Sequence, residues 1–327
     1  MSARTPVPTP AHRAEYALAR ALEHTVSLLP EGLAHRLGAG IGRAVHSSFG
    51  IRGAVVEANL RTAFPEAEDA WIRRTAKDAY AHLGRESAAI LRLSRLEPEA
   101  IVERTDTRGW GELEEALAEG KGVLLVTGHF GNWEIAAAAV AARGIPIAAI
   151  VRRQGNRLVD ARLDALRRRL GVETISQREA PSRVPRALRR NGVVGIVGDQ
   201  DARRAGVWVP FFGRPASTHR GPALFALKLG APVFACTARR LPGPGVRYEV
   251  SGERIPVERT GDLEADVQRV TAAIAARLEA AIRLAPEQYF WFHRRWKSNP
   301  PSELPHSAPG RRPADAGGAG PNSGGEA

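Results

Sequence analysis

Residues 122–144 read GVLLVTGHFGNWEIAAAAVAARG. A short apolar run stops at Gly128, a glycine-framed His-Phe-Gly-Asn-Trp-Glu follows, and an alanine-rich segment closes at Gly144. This is a strand, a tight turn and a helix, and the same alternation continues downstream. IPIAAIVRR predicts a strand before the helix NRLVDARLDALRRRLG, and VETIS a strand before the helix SRVPRALRRNG, despite Pro185. VVGIVGD is a further strand, STHRGPALFALKLG a helix, APVFACTARR and VRYEVSG strands, and GDLEADVQRVTAAIAARLEAAIRLAP a long amphipathic helix. Such alternation predicts an α/β fold, a mainly parallel sheet with helices on both faces.

The segment upstream has a different rhythm. Tyr16, Leu18, Leu22, Val26 and Leu29 recur at helical spacing until Pro30, and a second helix is expected over Leu33–Val45. There Gly38 and Gly42, four apart, suit close helix–helix contact. Two more helices flank Pro65, the second running from Ala67 to Leu93. The expected organisation is a disordered N-terminus over 1–12, a helical region over 13–100, an α/β core over 101–299 and a disordered Pro/Gly-rich tail over 300–327.

The formal net charge is +12. A surplus of this size points to a polyanionic partner (nucleic acid, an anionic bilayer or a phosphorylated substrate) or to compositional bias toward arginine. The single cysteine, Cys236, excludes a disulfide framework and a cysteine-based zinc site. No secretory signal is visible, and no stretch reaches the roughly 18–20 apolar residues that span a bilayer.

Ligand sites in parallel sheets lie at strand C-terminal ends, where His129 sits. Asn132 is a good helix N-cap, which puts Glu134 in the first turn. If His129 lies on the turn before the helix, the two side chains can meet, as a general base and the carboxylate that orients it. Gly128 and Gly131 suit that turn by their backbone freedom. No serine or cysteine nucleophile stands nearby in sequence, so attack by a substrate hydroxyl is favoured over a covalent intermediate. A structural histidine capping the turn is the competing reading, and metal ligation lacks the HExxH type of spacing.

HFGNWE resembles the His-x4-Asp/Glu motif of glycerolipid acyltransferases, in the form found in the late acyltransferases of bacterial lipid A biosynthesis, the lauroyl/myristoyl transferase family. AIVRRQGNRLVDARLDALRRRLG, GDQDARRAGVWVPFFGRPASTHRGPALFALKLGAPV and PEQYFWFHRRWK resemble further blocks of that family, in order, over roughly residues 13–299. The resemblance implies transfer of a fatty acyl chain from an acyl carrier protein thioester (or acyl-CoA) to a hydroxyl of a phosphorylated glycolipid, at the cytoplasmic face of the inner membrane and with no other cofactor and no metal. It makes His129 the base and Glu134 its partner. Arg152, Asn156, Asp160, Asp199, Gln200, Thr218 and Arg220 match its other blocks as substrate-binding positions; a surface ion pair at Arg152 and turn-capping at Asp199 and Gln200 are the plainer alternatives. VWVPFFG (207–213) can line an acyl pocket, touch a bilayer or fill a core. YFWFHRRWK (289–297) alternates aromatics with cations as an interfacial segment does, making Arg294, Arg295 and Lys297 phosphate-contact candidates and His293 structural.

Arg20, Glu23 and His24 interrupt the segment where family members often carry a hydrophobic anchor helix, which favours a surface-bound N-terminus. The second block, VRRQGN, lacks the aromatic and the proline often found there, so the acceptor stays open: lipid A precursor, another glycolipid, including mannosylated phosphatidylinositol, or a lysophospholipid. A non-enzymatic basic protein binding membranes or nucleic acid, and a hydrolase activating water, are the rivals. The expected partners are an acyl carrier protein, the glycolipid acceptor and an anionic membrane, and not nucleic acid.

Overall fold

A computed structural model describes residues 8–243 and 245–301. The chain begins with α1 (Pro10–Leu28), α2 (Glu31–Ala44), α3 (Gly53–Ala63), α4 (Asp69–Leu93) and α5 (Pro98–Glu103). It continues β1 (Thr105–Arg108), α6 (Trp110–Ala118), β2 (Val123–Thr127), α7 (Trp133–Ala142), β3 (Ile147–Val151), α8 (Arg157–Arg169), β4 (Val172–Ser176), α9 (Ala180–Arg189) and β5 (Val193–Val197). The hairpin β6 (Val207–Phe211) and β7 (Arg214–Thr218) follows, then α10 (Gly221–Leu229), β8 (Val233–Arg240), β9 (Tyr248–Ile255) and α11 (Leu263–Leu284). The fold is α/β: helices first, then a seven-stranded sheet in the order β1-β9-β8-β2-β5-β3-β4.

All strand pairs of that sheet are parallel except β8 with β9. Its central strands are buried on both faces, which is why VLLV and VV run apolar without alternation. Residues of α5, α6, α7 and α8 form the core on one face, and those of α9, α10 and α11 on the other. A third cluster joins α3 and α4 to the β6–β7 hairpin, α11 and residues 289–292, so the N-terminal helices are built into the core.

Gly38 and Gly42 bring α2 against α4. A Cβ at Gly38 would collide with the Gly84 carbonyl and one at Gly42 with the Tyr80 carbonyl, while Gly84 faces Gly38 in return. The close contact is between helices of one chain, as ordinary packing within a protein requires.

Several expectations need correction. Helix α1 starts at Pro10, capped by the Thr9 side chain, so residues 10–12 are helical; the rest of the expected disordered N-terminus, apart from residues 8 and 9, and the tail beyond 301 lie outside the described residues. Ser217 and Thr218 belong to β7 and α10 starts only at Gly221, because Thr218 pairs with Val207 across the hairpin. Within VWVPFFG, Val209, Phe211 and Phe212 are core. Tyr289, Trp291, Phe292 and Arg295 are buried too, so the alternating C-terminal segment is a core plug with only Arg294 and Lys297 of its cations exposed.

Candidate active site

The turn between β2 and α7 is clamped by backbone on both sides. Gly131 N–H donates to the Gln288 carbonyl at 2.9 Å, Phe290 N–H to the His129 carbonyl at 2.9 Å, and Asn132 N–H to the Ala238 carbonyl at 3.0 Å. Gly131 has φ +57°, and a Cβ there would strike the Ala238 carbonyl oxygen. Gly128 has no positive φ; it is needed for space, since a Cβ would press on Leu278 and Asp199. The Asn132 side chain accepts from Ile135 N–H at 3.0 Å and caps α7, and its amide donates to the buried Glu86 of α4 at 2.9 Å. Glu86 is held in turn by Arg240 at 2.9 Å and the Tyr248 hydroxyl at 2.7 Å. A buried polar network thus ties this turn to the N-terminal helices.

His129 does lie on the turn before the helix, but its carboxylate partner is Asp199, not Glu134. Asp199 Oδ1 is 2.7 Å from His129 Nδ1, and Oδ2 accepts the His129 backbone N–H at 2.9 Å. Glu134, at the second position of α7, faces α8 instead and pairs in fork geometry with Arg167, at 3.0 and 2.5 Å. The register explains this: Thr127 pairs with Val197 in parallel neighbours β2 and β5, so His129 and Asp199 each stand two residues past matched strand ends.

Asp199 is 3 % exposed. Burial alone would raise its pKa, but the His129 ring, by charge and hydrogen bond, holds it well below the usual carboxylate range. Burial alone would lower the His129 pKa, and Asp199 outweighs this and raises it. The ionised carboxylate fixes the neutral ring with its proton on Nδ1, leaving the Nε2 lone pair for a substrate. The Trp133 ring meets the imidazole edge-on at 4.9 Å between centroids.

His129, Trp133, Glu134, Arg152, Arg167 and Gln200 line one groove of about 480 Å³. Its remaining wall is largely apolar, from Ile90, Leu125, Ala136, Ala137, Ile147 and Ala149 among others. Cys236 is buried at the groove wall, and burial pushes its pKa up to about 12, so it is an inert thiol that carries no thiolate at neutral pH. Arg152 is exposed at the groove.

The other expected substrate contacts do not meet there. Asn156 caps α8 and ties it to α1, its amide donating to the His12 carbonyl at 2.9 Å and to Glu15 at 2.7 Å. Asp160 accepts from Gln154 N–H at 2.9 Å and braces the turn before α8. Thr218 is buried and accepts from Arg295 at 2.6 Å, and that Arg295 packs over Phe211, so neither is free to bind phosphate. Arg220 pairs with Glu264. Asp199 and Thr218 line instead a separate cavity of about 180 Å³, whose lining does not include His129. Sequence reasoning missed Arg167, Trp133 and the orienting role of Asp199.

The family model described as bacterial lipid A biosynthesis acyltransferase matches residues 12–298. The lipid A biosynthesis lauroyltransferase of Escherichia coli (strain K12) is 28 % identical over 275 residues, covering 83 % of this chain and 88 % of that protein. The lipid A biosynthesis myristoyltransferase of the same strain is 26 % identical over 274 residues, 82 % of this chain and 81 % of the relative. The phosphatidylinositol mannoside acyltransferase of Mycobacterium tuberculosis (strain ATCC 25618 / H37Rv) is 27 % identical over 219 residues, 65 % of this chain and 67 % of its own.

Proposed function

The chain belongs to the bacterial lipid A biosynthesis acyltransferase family, and from that premise we propose that it moves a fatty acyl chain from a carrier thioester to a hydroxyl of a lipid A precursor, with His129 as general base. The observation that carries this is an imidazole locked by a buried carboxylate at the head of an apolar groove. The acyl chain lies in the groove with its thioester carbonyl at the His129 end. Nε2 takes the acceptor's hydroxyl proton, the oxygen attacks the carbonyl carbon, and a tetrahedral oxyanion forms. Arg152 or backbone N–H groups stabilise it. The C–S bond then breaks, and the imidazolium returns its proton to the departing carrier thiolate. Asp199 keeps the ring in the right tautomer and stabilises its charge. Glu134 acts one step back, fixing the Arg167 guanidinium in the groove wall.

Leu18, Leu22, Leu28, Leu33, Leu37 and Ile41 are exposed on α1 and α2. Among the described residues no helix is long and apolar enough to cross a membrane. These apolar side chains with the basic surface suit binding at an anionic bilayer, on the cytoplasmic face of the inner membrane where carrier thioesters are available. The similarity to a phosphatidylinositol mannoside acyltransferase, at comparable identity over a shorter span, supports a second reading, in which the acceptor is another glycolipid.

The test is incubation of the purified protein with acyl carrier protein thioesters and lipid A precursors, read by mass spectrometry. Acylated lipid is expected, and His129→Ala lowers its formation by about 10²–10⁴-fold with the fold intact. Free fatty acid as the only product, or full activity in His129→Ala, overturns the proposal.

A further inference from the structure

A second cleft, of about 660 Å³, opens beside the catalytic turn and is lined by Arg52, Arg203, Arg294 and Lys297 together with Gln200 and His293. Gln200 also lines the apolar groove, and the His293 ring lies 6.3 Å from that of His129, so the cleft and the groove adjoin at Gln200, close to the imidazole. A shallower depression that shares Arg203 and Lys297 adds Arg204.

The cleft carries an excess of positive charge. Among the described residues none of these five cations forms an ion pair, whereas many arginines elsewhere do. The one acid in the wall, Asp201, already accepts from the Arg203 backbone N–H at 3.0 Å and from the Ser298 hydroxyl at 2.9 Å. Arg52 is steadied by donating to the Phe292 carbonyl at 2.9 Å. Arg52 and Arg203 both have left-handed backbones, φ 60° and 55°, and are two of only four non-glycine residues with positive φ among the described residues. A left-handed arginine is disfavoured, and such positions persist where the surroundings impose them, often at ligand sites. Two of them facing one cleft beside the active site, where cations outnumber the single carboxylate and none is ion-paired among the described residues, mark a place for an anion that arrives with the substrates.

We propose that this basic cleft binds a phosphate ester carried by one of the two substrates, so that the phosphate and the reacting carbon are held on opposite sides of His129. The inference rests on the acyltransferase reading of the groove. The phosphate belongs either to the acceptor lipid or to the phosphopantetheine arm of the donor; both present the same charged oxygen cluster to the guanidinium forks.

The variant Arg203→Asn/Lys297→Gln removes two charges, and asparagine tolerates the left-handed backbone at 203. Titration of inorganic pyrophosphate into the wild-type protein by calorimetry is expected to show binding that weakens about tenfold or more in the variant and fades with added salt. In steady-state assays the variant raises KM about tenfold for the phosphate-bearing substrate and leaves kcat near wild type. A raised KM for the lipid acceptor assigns the phosphate to the acceptor. A raised KM for acyl-4′-phosphopantetheine, with none for acyl-pantetheine, assigns it to the donor. The proposal falls if pyrophosphate binds both proteins equally and neither KM changes. It also falls if only the intact acyl carrier protein is affected, which makes the cleft a docking face for an acidic protein. If wild type transfers no acyl group at all, the acyltransferase reading fails, while the calorimetry still decides whether the cleft holds phosphate.

Discussion

Asp199 grips His129 through both ring and backbone, so one carboxylate sets where the imidazole sits and which nitrogen carries the proton. As the proposed base, His129 must be neutral to work, and its pKa is raised above the ordinary value, which is about 6.5. Acyl transfer is therefore expected to fall on its acid side with an apparent pKa above about 6.5. Asp199→Asn removes both the charge and the orientation: the acid limb moves to lower pH and the rate drops by about 10²–10⁴-fold. A pH–rate profile of the two proteins checks this, and an unmoved acid limb in the variant excludes Asp199 as the partner. His129 is legible in the sequence from its place after an apolar strand. The partner is legible only when two strands are laid side by side: VLLVTGH and VVGIVGD both end in glycine and then the functional residue, at the same offset. Reading along one strand favours Glu134, five residues on; the parallel register, a through-space fact, selects Asp199.

At the scale of elements, the glycines of α2 separate two physical roles. Gly42 meets the Tyr80 backbone of α4, which cannot yield without parting the helices, whereas Gly40 is exposed and a methyl group added there would find nothing within 4 Å. Gly42→Ala is expected to cost about 1–3 kcal/mol or more through overpacking. Gly40→Ala, in a helix interior facing solvent, is expected to stabilise by about 0.4–1 kcal/mol. Urea midpoints of the pair test this, and equal midpoints would mean that α2 does not seat on α4 through its glycines. The spacing of Gly38 and Gly42 makes that contact readable, as the alternation of apolar runs and amphipathic segments makes the parallel sheet readable. The β6–β7 hairpin is not, because Pro210 and Pro215 interrupt any strand pattern and its inward face reads as an aromatic loop. The aromatics of 289–297 mislead for a related reason: alternation with cations is the same on an interface and on a turn-rich plug whose Arg295 is buried against Thr218.

Across the whole molecule, the N-terminal helices and the sheet are joined by buried polar groups whose protonation couples stability to pH. His35 bonds Arg240, which bonds Glu86, and His82 lies on α4 one turn before Glu86. Burial, with Arg240 next, lowers the His35 pKa to about 4; for His82 burial again leads and brings it to about 4 although Glu86 opposes it. The groups facing them are Glu31, Glu86, Arg92 and Arg240 for His35, and Arg85, Glu86 and Arg240 for His82. The unfolded chain takes up these protons near pH 6.5, its ordinary histidine value, and the folded chain only near pH 4. Between those limits the unfolded state holds more protons, so stability is full above about pH 6.5 and declines as pH falls toward about 4. His219 and His293, both lowered chiefly by burial, act in the same direction. The raised His129 acts in the other sense but only above about pH 6.5, where its stabilising share is lost as pH rises through the folded value. The lowered carboxylates Glu86 and Asp199 begin to lose their share only at the acid end of this window, from about 4.5 and 3.8 downward. Chemical denaturation from pH 7 to pH 4 is expected to show this decline as one continuous slope to which each histidine adds, and His35→Gln/His82→Gln is expected to flatten it even if the variant is less stable at pH 7. A wild-type stability that is level across this window would show that the two histidines are not held neutral by the junction between the helices and the sheet.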